Sequence, residues 1–512
     1  MSLDYAVVVP TIGRASLTRL LTSLAGQPFD HEHPAPVEAV VVDDRPLRAA
    51  APPPLALPPL PCPTRVIRSG GRGPAAARNA GWRSVRTEWV VLLDDDVELP
   101  PQWVHELAAD LDRAPSSVAG VQARLHVPVS ADRPQSDWER NTAGLEQARW
   151  ATADMAYRRR ALAEVGGFDE RFPRPYREDA DLALRVRGQG WTLRRGHRIT
   201  HHPVRPADFW VSVRTQVGGA DDALMRTLHG PRWRTRAQTG VGRARWHAAT
   251  VAAGALAAGA GAVRRHRLAT AGGLLWLSLY ADFLVRRLVD GPRPGQPGWV
   301  GEWARMTTTS AVIPPVALAH RVGGTLRHAR AVPPWPPPVR AVLLDRDGTL
   351  VQDVPYNGDP DRVVVVADAR AVLDRLRAAG LAVGVVTNQS GLALGWLTPT
   401  QVRAVNARIM AELGPFDVWE QCPHGPDAGC PCRKPGPALV LRAAARLGIL
   451  PAECLVIGDT GADVGAGVAA GARAVLVPAP LTRPDEVSAA KATVGVAATL
   501  TDAVAGLVGV SR

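Results

Sequence analysis

Six short apolar runs, in two groups, each break off into polar or acidic residues. YAVVVP, VEAVVVD and EWVVLLDDD fall between residues 5 and 96, and AVLLD, LAVGVVTN and CLVIGD between residues 341 and 459. Runs this short and this continuously apolar suit strands buried on both faces, which is the habit of parallel sheets. Helical stretches such as DARAVLDRLRAAG separate them. The expected class is therefore α/β, with two doubly wound domains. In such sheets ligands sit at the carboxyl ends of the strands, so the terminal acids are the first candidates for chemistry.

A chain of 512 residues is too long for one hydrophobic core. The runs predict one domain over 1–210 and another over 341–512. Between them lie a segment over 211–330 and a Pro-rich linker, AVPPWPPPVR, over 331–340. A second Pro-rich run, APPPLALPPLPCP over 51–63, reads as a loop inside the first domain. The net charge is +12, and residues 231–330 alone hold fifteen arginines against three acids, so the rest of the chain is near neutral. Two apolar stretches there, 248–263 and 268–285, are flanked by arginines, and a third, SAVIPPVALAH, is broken by two prolines. The expectation is an Arg-rich helical joint that rests on an anionic membrane surface, the alternatives being a hairpin that spans it or an ordinary helical subdomain, with no nucleic-acid partner. Five cysteines, three of them clustered, argue against a disulfide framework. With no secretion signal visible at the start, the expected setting is cytoplasmic, on the inner face of the membrane.

In the second group DRDGTL (Asp345 to Leu350) follows the first strand, TNQSG (Thr387 to Gly391) the second, and GDTGAD (Gly458 to Asp463) the last. Two carboxylates two residues apart can divide nucleophile and acid/base work. Lys434 is one of only two lysines beside 58 arginines, so its presence in a loop of this region carries information. Together these motifs resemble the haloacid dehalogenase superfamily of phosphatases over residues 340–480. The resemblance implies Asp345 as a nucleophile that forms an aspartyl-phosphate and Asp347 as acid/base. It implies Thr387, Asn388 and Lys434 as phosphate-binding residues. Asp459, with Asp345 and the backbone carbonyl of Asp347, is then the Mg²⁺ site.

The loop CPHGPDAGCPCRKPG spaces Cys422, His424, Cys430 and Cys432 as Cys-x-His-x5-Cys-x-Cys. Three thiolates and an imidazole form a closed tetrahedral Zn²⁺ set, a structural one because no coordination position stays open. Such a loop running into CRKP resembles the heptose-bisphosphate and histidinol-phosphate branches of the superfamily, in which Arg433 joins Lys434 at the substrate. Thr460 stands where the heptose branch often has lysine.

In the first group, VVVPTIGR, VVDDR and LLDDDVELP resemble the family 2 glycosyltransferases of the GT-A fold over residues 4–205. That likeness implies a nucleotide-sugar site with Thr11, and with Asp43 or Asp44 reading the base. Asp94 would lie by the ribose and Asp96 at a Mg²⁺ or Mn²⁺ ion, with Asp95 open. Arg78 and Asn79, in GGRGPAAARNAGW, are expected to contact the nucleotide. Asp179, in the ED pair Glu178–Asp179, is the expected general base, with Asp181 the alternative. Arg45 stands where a glycine is frequent. The whole reads as a bifunctional enzyme acting on a nucleotide sugar and a sugar phosphate. The fusion favours heptose 1,7-bisphosphate, since removal of its 7-phosphate leads toward activated heptose. The alternatives are a phosphatase of histidinol-phosphate type, or a first domain that binds without catalysing.

Overall fold

The computed structural model describes residues 3–47, 53–130, 132–329 and 332–507. Residues 51 and 52 of the Pro-rich loop and residue 331 of the linker lie outside the described residues. The first apolar runs become β1 (Tyr5–Thr11), β2 (Glu38–Asp43) and β4 (Trp89–Leu93), with β3 (Thr64–Arg68) at the edge. Three more strands, β5 (Val118–His126), β6 (Asp154–Arg158) and β7 (Thr192–His201), complete a seven-stranded sheet of order β3-β2-β1-β4-β6-β5-β7. β6 runs antiparallel to both β4 and β5, so the sheet is mixed and not wholly parallel. Both faces are covered, as the unbroken Val/Leu runs require. On one face the helix Pro74–Ser84 approaches closely, because a Cβ on Gly81 would stand 2.2 Å from Val8 Cγ1. That approach carries Arg78 to the carboxyl end of the sheet.

The second group forms β8 (Ala341–Leu344), β9 (Ala382–Asn388), β10 (Val418–Cys422), β11 (Cys454–Gly458) and β12 (Arg473–Leu476). Their order is β10-β9-β8-β11-β12, and every pair is parallel. The linker is docked along the first unit: Trp335 Nε1 donates to Gly166 O at 3.0 Å, and Arg171 donates to Pro333 O at 2.7 Å.

The intervening segment is helical. Gly219–His229 packs on the first unit through Arg174–Asp221 (2.8 Å) and His229–Asp181 (2.7 Å). Ala244–Ala262 and His266–Leu288 pair along small residues, since a Cβ on Gly272 would stand 2.8 Å from Ala257 N. Among the described residues, His266–Leu288 is the one helix long and apolar enough to cross a membrane by length and composition. The break expected at Pro314 and Pro315 does not occur, because one helix runs from Trp299 to Arg327. Tertiary packing overrides the lost backbone hydrogen bonds: Gly324 lies against Ala220, where a Cβ would come within 2.6 Å of the Cα.

Candidate active sites

At the carboxyl end of the first sheet, Thr11 Oγ1 donates to Asp95 Oδ2 at 2.7 Å and Arg14 reaches Asp95 Oδ1 at 2.7 Å. Asp95 thus ties β1 to the acidic loop after β4. Asp43 is held bidentately by Arg45 at 2.8 and 2.7 Å. The residue in the place of a glycine therefore covers the acid expected to read the base. Asp44 accepts from Ser69 Oγ (2.6 Å) and from the backbone N–H groups of Gly71, Arg72 and Gly73. It shapes the 69–73 turn, taking three of these hydrogen bonds on Oδ1 and one on Oδ2.

Arg78 and Asn79 also differ from expectation. Arg78 is buried and bridges Asp94 (2.7 Å) to Glu178 (2.8 Å). Asn79 is wholly buried; it donates to Phe168 O and Glu170 and accepts from Trp82 Nε1 and Phe168 N. All four hydrogen-bonding positions of Asn79 are filled by protein, whereas Arg78 pairs two acids and keeps a buried Nε without a partner. Burial raises the Asp94 carboxyl, but Arg78, His202 and Arg205 outweigh it and hold it low.

Asp96 is buried and ion-paired to Arg205 through Oδ2, while its Oδ1 has no hydrogen-bond partner. His202 Nε2 lies 3.6 Å from Asp96 Oδ2, and its Nδ1 is likewise unpartnered. Unpaired buried polar atoms are costly unless something else satisfies them, and the free Oδ1 of Asp96 is an oxygen that a divalent cation could take. His202 and Arg205 escaped sequence reasoning, because they lie more than a hundred residues from Asp96 in a stretch without a motif. In the ED pair, Asp181 is spent on Arg185 (2.6 Å) and His229 (2.7 Å). Asp179 accepts only the N–H of Ala180, at 2.7 Å. Burial raises the Asp179 carboxyl, and of the two acids it is the one not tied up in ion pairs.

At the carboxyl end of the second sheet, Lys434 Nζ lies 2.8 Å from Asp345 Oδ1 and 2.5 Å from Asp463 Oδ1, and it donates to Val386 O at 2.9 Å. Its backbone is clamped by Asn388, which accepts from Lys434 N at 3.0 Å and donates to Lys434 O at 3.3 Å. Asn388, expected at the phosphate, is here the mount of the lysine. Thr387 Oγ1 accepts from Gln389 Nε2 at 3.0 Å. Arg346 holds Asp347 through both carboxylate oxygens (3.0 and 2.8 Å), and Gln389 adds a third contact at 3.0 Å. Asp459 accepts from Thr349 at 3.2 Å, and Thr460 donates to Asp463 at 2.6 Å. Asp463, Arg346 and Gln389 were given no role from sequence, although each lies inside one of the quoted motifs.

Gly348 has φ +79°, and a Cβ there would stand 2.3 Å from Asp459 Oδ2, so only glycine brings this turn so close to that acid. One ligand oxygen each from Asp345, Asp459 and Asp463 lies within 4.8 Å of the others. Burial, above all, pushes Asp345 up to about 8 and Asp459 up to about 7. Three buried acids around one lysine lack positive charge, which a divalent cation would supply.

Cys422, His424, Cys430 and Cys432 converge as a set that could hold a metal ion. The Sγ–Sγ separations are 3.3, 3.5 and 3.6 Å, and His424 Nδ1 lies 3.2 Å from Cys432 Sγ and 3.5 Å from Cys422 Sγ. Tetrahedral Zn–S bonds of about 2.3 Å put sulfurs about 3.8 Å apart, so the four ligands fit zinc with small outward shifts. Arg433, beside Lys434, keeps an unpaired Nη1.

A family model for glycosyl transferase family 2 matches residues 6–181, and one for HAD-hydrolase-like proteins matches residues 431–503. The D-glycero-beta-D-manno-heptose-1,7-bisphosphate 7-phosphatase of Mesorhizobium japonicum is 35% identical over 168 residues, 31% of this chain and 74% of that one. The chain is a family 2 glycosyl transferase fused to a haloacid dehalogenase-like phosphatase. The Pseudomonas putida protein of the same description as the Mesorhizobium one is 35% identical over 144 residues, 27% of this chain and 82% of that one. A solved D,D-heptose 1,7-bisphosphate phosphatase from B. bronchiseptica, complexed with magnesium and phosphate, is 29% identical and covers 33% of this chain and 98% of its own, with a TM-score of 0.30. The transferase domain thus contains the Asp96–His202 site, and the phosphatase domain contains the Asp345–Lys434 site.

Proposed function

We propose that the phosphatase domain removes the 7-phosphate of D-glycero-D-manno-heptose 1,7-bisphosphate and that the transferase domain uses a nucleotide sugar. The observation that carries the first part is Lys434 held between Asp345 and Asp463 at the end of β8, within relatives named for that substrate. An Asp345 carboxylate oxygen attacks phosphorus, the bond to the sugar oxygen breaks, and Asp347 gives that oxygen its proton. A water that returns its proton to Asp347 then attacks the aspartyl-phosphate, releasing phosphate and restoring Asp345. Lys434 and Thr387 bind the phosphoryl oxygens, Asn388 holds Lys434 in place, and Arg433 reaches the substrate.

Asp345, Asp459 and the carbonyl of Asp347 are the residues that would hold Mg²⁺, which supplies charge against the repulsion between carboxylate and phosphate. Zn²⁺ on Cys422, His424, Cys430 and Cys432 would order the loop that ends in Arg433 and Lys434, apart from the reaction itself. In the transferase, Asp96 and His202 would hold Mg²⁺ or Mn²⁺ against a departing nucleoside diphosphate. Asp179 takes the proton of the acceptor hydroxyl, and Thr11, Asp43 and Asp94 border the nucleotide. Residues 231–330 would rest on an anionic membrane surface on its cytoplasmic side, a placement supported by the exposed Leu274, Leu275 and Leu277 and by the flanking arginines. Phosphate release from heptose 1,7-bisphosphate, measured beside histidinol phosphate, tests the substrate. The heptose ester should have the higher kcat/KM, and a clear preference for histidinol phosphate would end this assignment.

A further inference from the structure

A further group of metal-ligating side chains lies away from both catalytic edges. The stretch DHEH, Asp30 to His33, sets four residues of ligand type in a row, and neither catalytic set uses it. It follows the helix Ser16–Ala25 and leads into β2. Val37 N donates to Tyr5 O at 2.9 Å, so the stretch lies at the amino ends of the first strands. The acids of the transferase site stand at the opposite, carboxyl edge of the same sheet.

Asp30 closes the turn. Its N–H donates to His33 O at 3.0 Å, and its Oδ1 accepts from Glu32 N (2.8 Å) and His33 N (2.7 Å). These bonds fix the carboxylate beside the His33 ring, whose Nδ1 lies 3.0 Å from Oδ1 and 3.2 Å from Oδ2. The His105 ring stands against that of His33, with centroids 4.1 Å apart and planes at 68°. One ligand atom from each of Asp30, His33 and His105 lies within 4.8 Å of the others. Ligands about 2.0–2.1 Å from a tetrahedral ion stand about 3.3 Å from each other. Asp30 Oδ2 and His33 Nδ1 therefore have the separation of two ligands on one ion, and His105 has only to close on them.

His105 comes from a separate element, the first turn of the helix Trp103–Asp112. Buried Gln27 fastens that element to the chain just before the turn: its Nε2 donates to Pro100 O at 3.0 Å, and its Oε1 accepts from Val104 N at 3.1 Å. Ligands on elements held together in this way lose little freedom when they bind an ion. Two imidazoles and one carboxylate suit zinc, copper or nickel, whereas Mg²⁺ favours oxygen ligands throughout. The Asp30 side chain is 52% exposed, which leaves the ion a path from solvent and a coordination position for water.

We infer that Asp30, His33 and His105 form a transition-metal site of their own, one that takes Zn²⁺ and clamps the loop before β2 to the helix Trp103–Asp112. The site is independent of both catalytic readings and of the cysteine loop.

The test is calorimetric titration of the full chain with Zn²⁺ in saturating Mg²⁺, with thermal melting alongside. Wild type should bind one equivalent of Zn²⁺ that His105→Asn and His33→Asn each lack or bind at least about tenfold more weakly; any other zinc sites on the chain are common to all three proteins. That equivalent should raise the melting temperature of wild type, because it binds the folded state, and the added rise should be missing in His105→Asn. Should His33→Asn disturb the turn, His105→Asn on its separate helix still decides. Equal zinc stoichiometry and affinity in wild type and His105→Asn overturn the site. An equivalent lost in His31→Asn and kept in His105→Asn is chelation by the exposed DHEH tract alone, which also overturns it.

Discussion

Gly348 shows how narrowly single residues are specified in the phosphatase. Its positive φ, and the 2.3 Å that would separate a side-chain methyl there from Asp459 Oδ2, leave alanine no place. Gly348→Ala should cost about 1–3 kcal/mol of stability from the strained backbone. It should also lower phosphatase kcat/KM about 100-fold by displacing Asp459; thermal melting and phosphate release measure the two effects. In the transferase, Asp179 is the acid to follow. Burial raises its carboxyl above the usual aspartate value of 3.8, and a base works only when ionised. The transferase rate should therefore fall as pH drops toward that raised pKa, so the acid limb of its pH profile lies above that of an ordinary aspartate. Asp179→Asn should remove the activity at every pH, whereas Asp181→Asn, which breaks the ion pairs to Arg185 and His229, should chiefly lower stability. Motif acids were legible one by one because each ends an apolar run. Their partners were not, since nothing local marks His202 as the neighbour of Asp96, or Asn79 as a residue whose four hydrogen bonds all go to protein.

Among the elements, the Cys422–Cys432 loop depends most on something other than its own packing. Its Gly and Pro content cannot order it, and its three thiol sulfurs lie within 3.6 Å of one another. Stripping Zn²⁺ with a chelator should abolish phosphatase activity and raise hydrogen exchange across this loop. Added Zn²⁺ should restore both, and Mg²⁺ alone should restore neither. The helices of the middle segment pose a different question. Arginines flank His266–Leu288, and only 6% of its apolar window is buried. The full chain should float with vesicles containing phosphatidylglycerol and not with pure phosphatidylcholine vesicles, and flotation should weaken as salt rises. Recovery in the soluble fraction with both lipids would contradict the membrane placement. The helix through Pro314 and Pro315 was not legible, because its continuity comes from packing on Gly219–His229 and proline's local preference points the other way. The reversed direction of β6 was equally hidden, since a strand buried on both faces has one pattern whichever way it runs.

At the scale of the whole molecule, the two α/β units were readable from the grouping of apolar runs and their acidic ends, and the family matches over residues 6–181 and 431–503 agree with that division. How the units meet could not be read from the sequence. The seam depends on Arg72 reaching Ala469 O and on Leu47 packing against the phosphatase core, contacts that join segments nearly four hundred residues apart. Although the domains touch, the Asp345–Lys434 pair lies in the second domain and the Asp96–Arg205 pair in the first. Asp345 and Lys434 share no side-chain contact with Asp96 or Asp179. The central claim, two separate activities on one chain, is tested by Asp345→Asn in the full-length protein, assayed for phosphate release from heptose 1,7-bisphosphate and for nucleotide-sugar turnover in the same preparation. Phosphate release should fall at least about 1,000-fold while nucleotide-sugar turnover stays at the wild-type level. Phosphate release that survives the substitution, or a joint loss of both activities in a folded protein, would contradict the account.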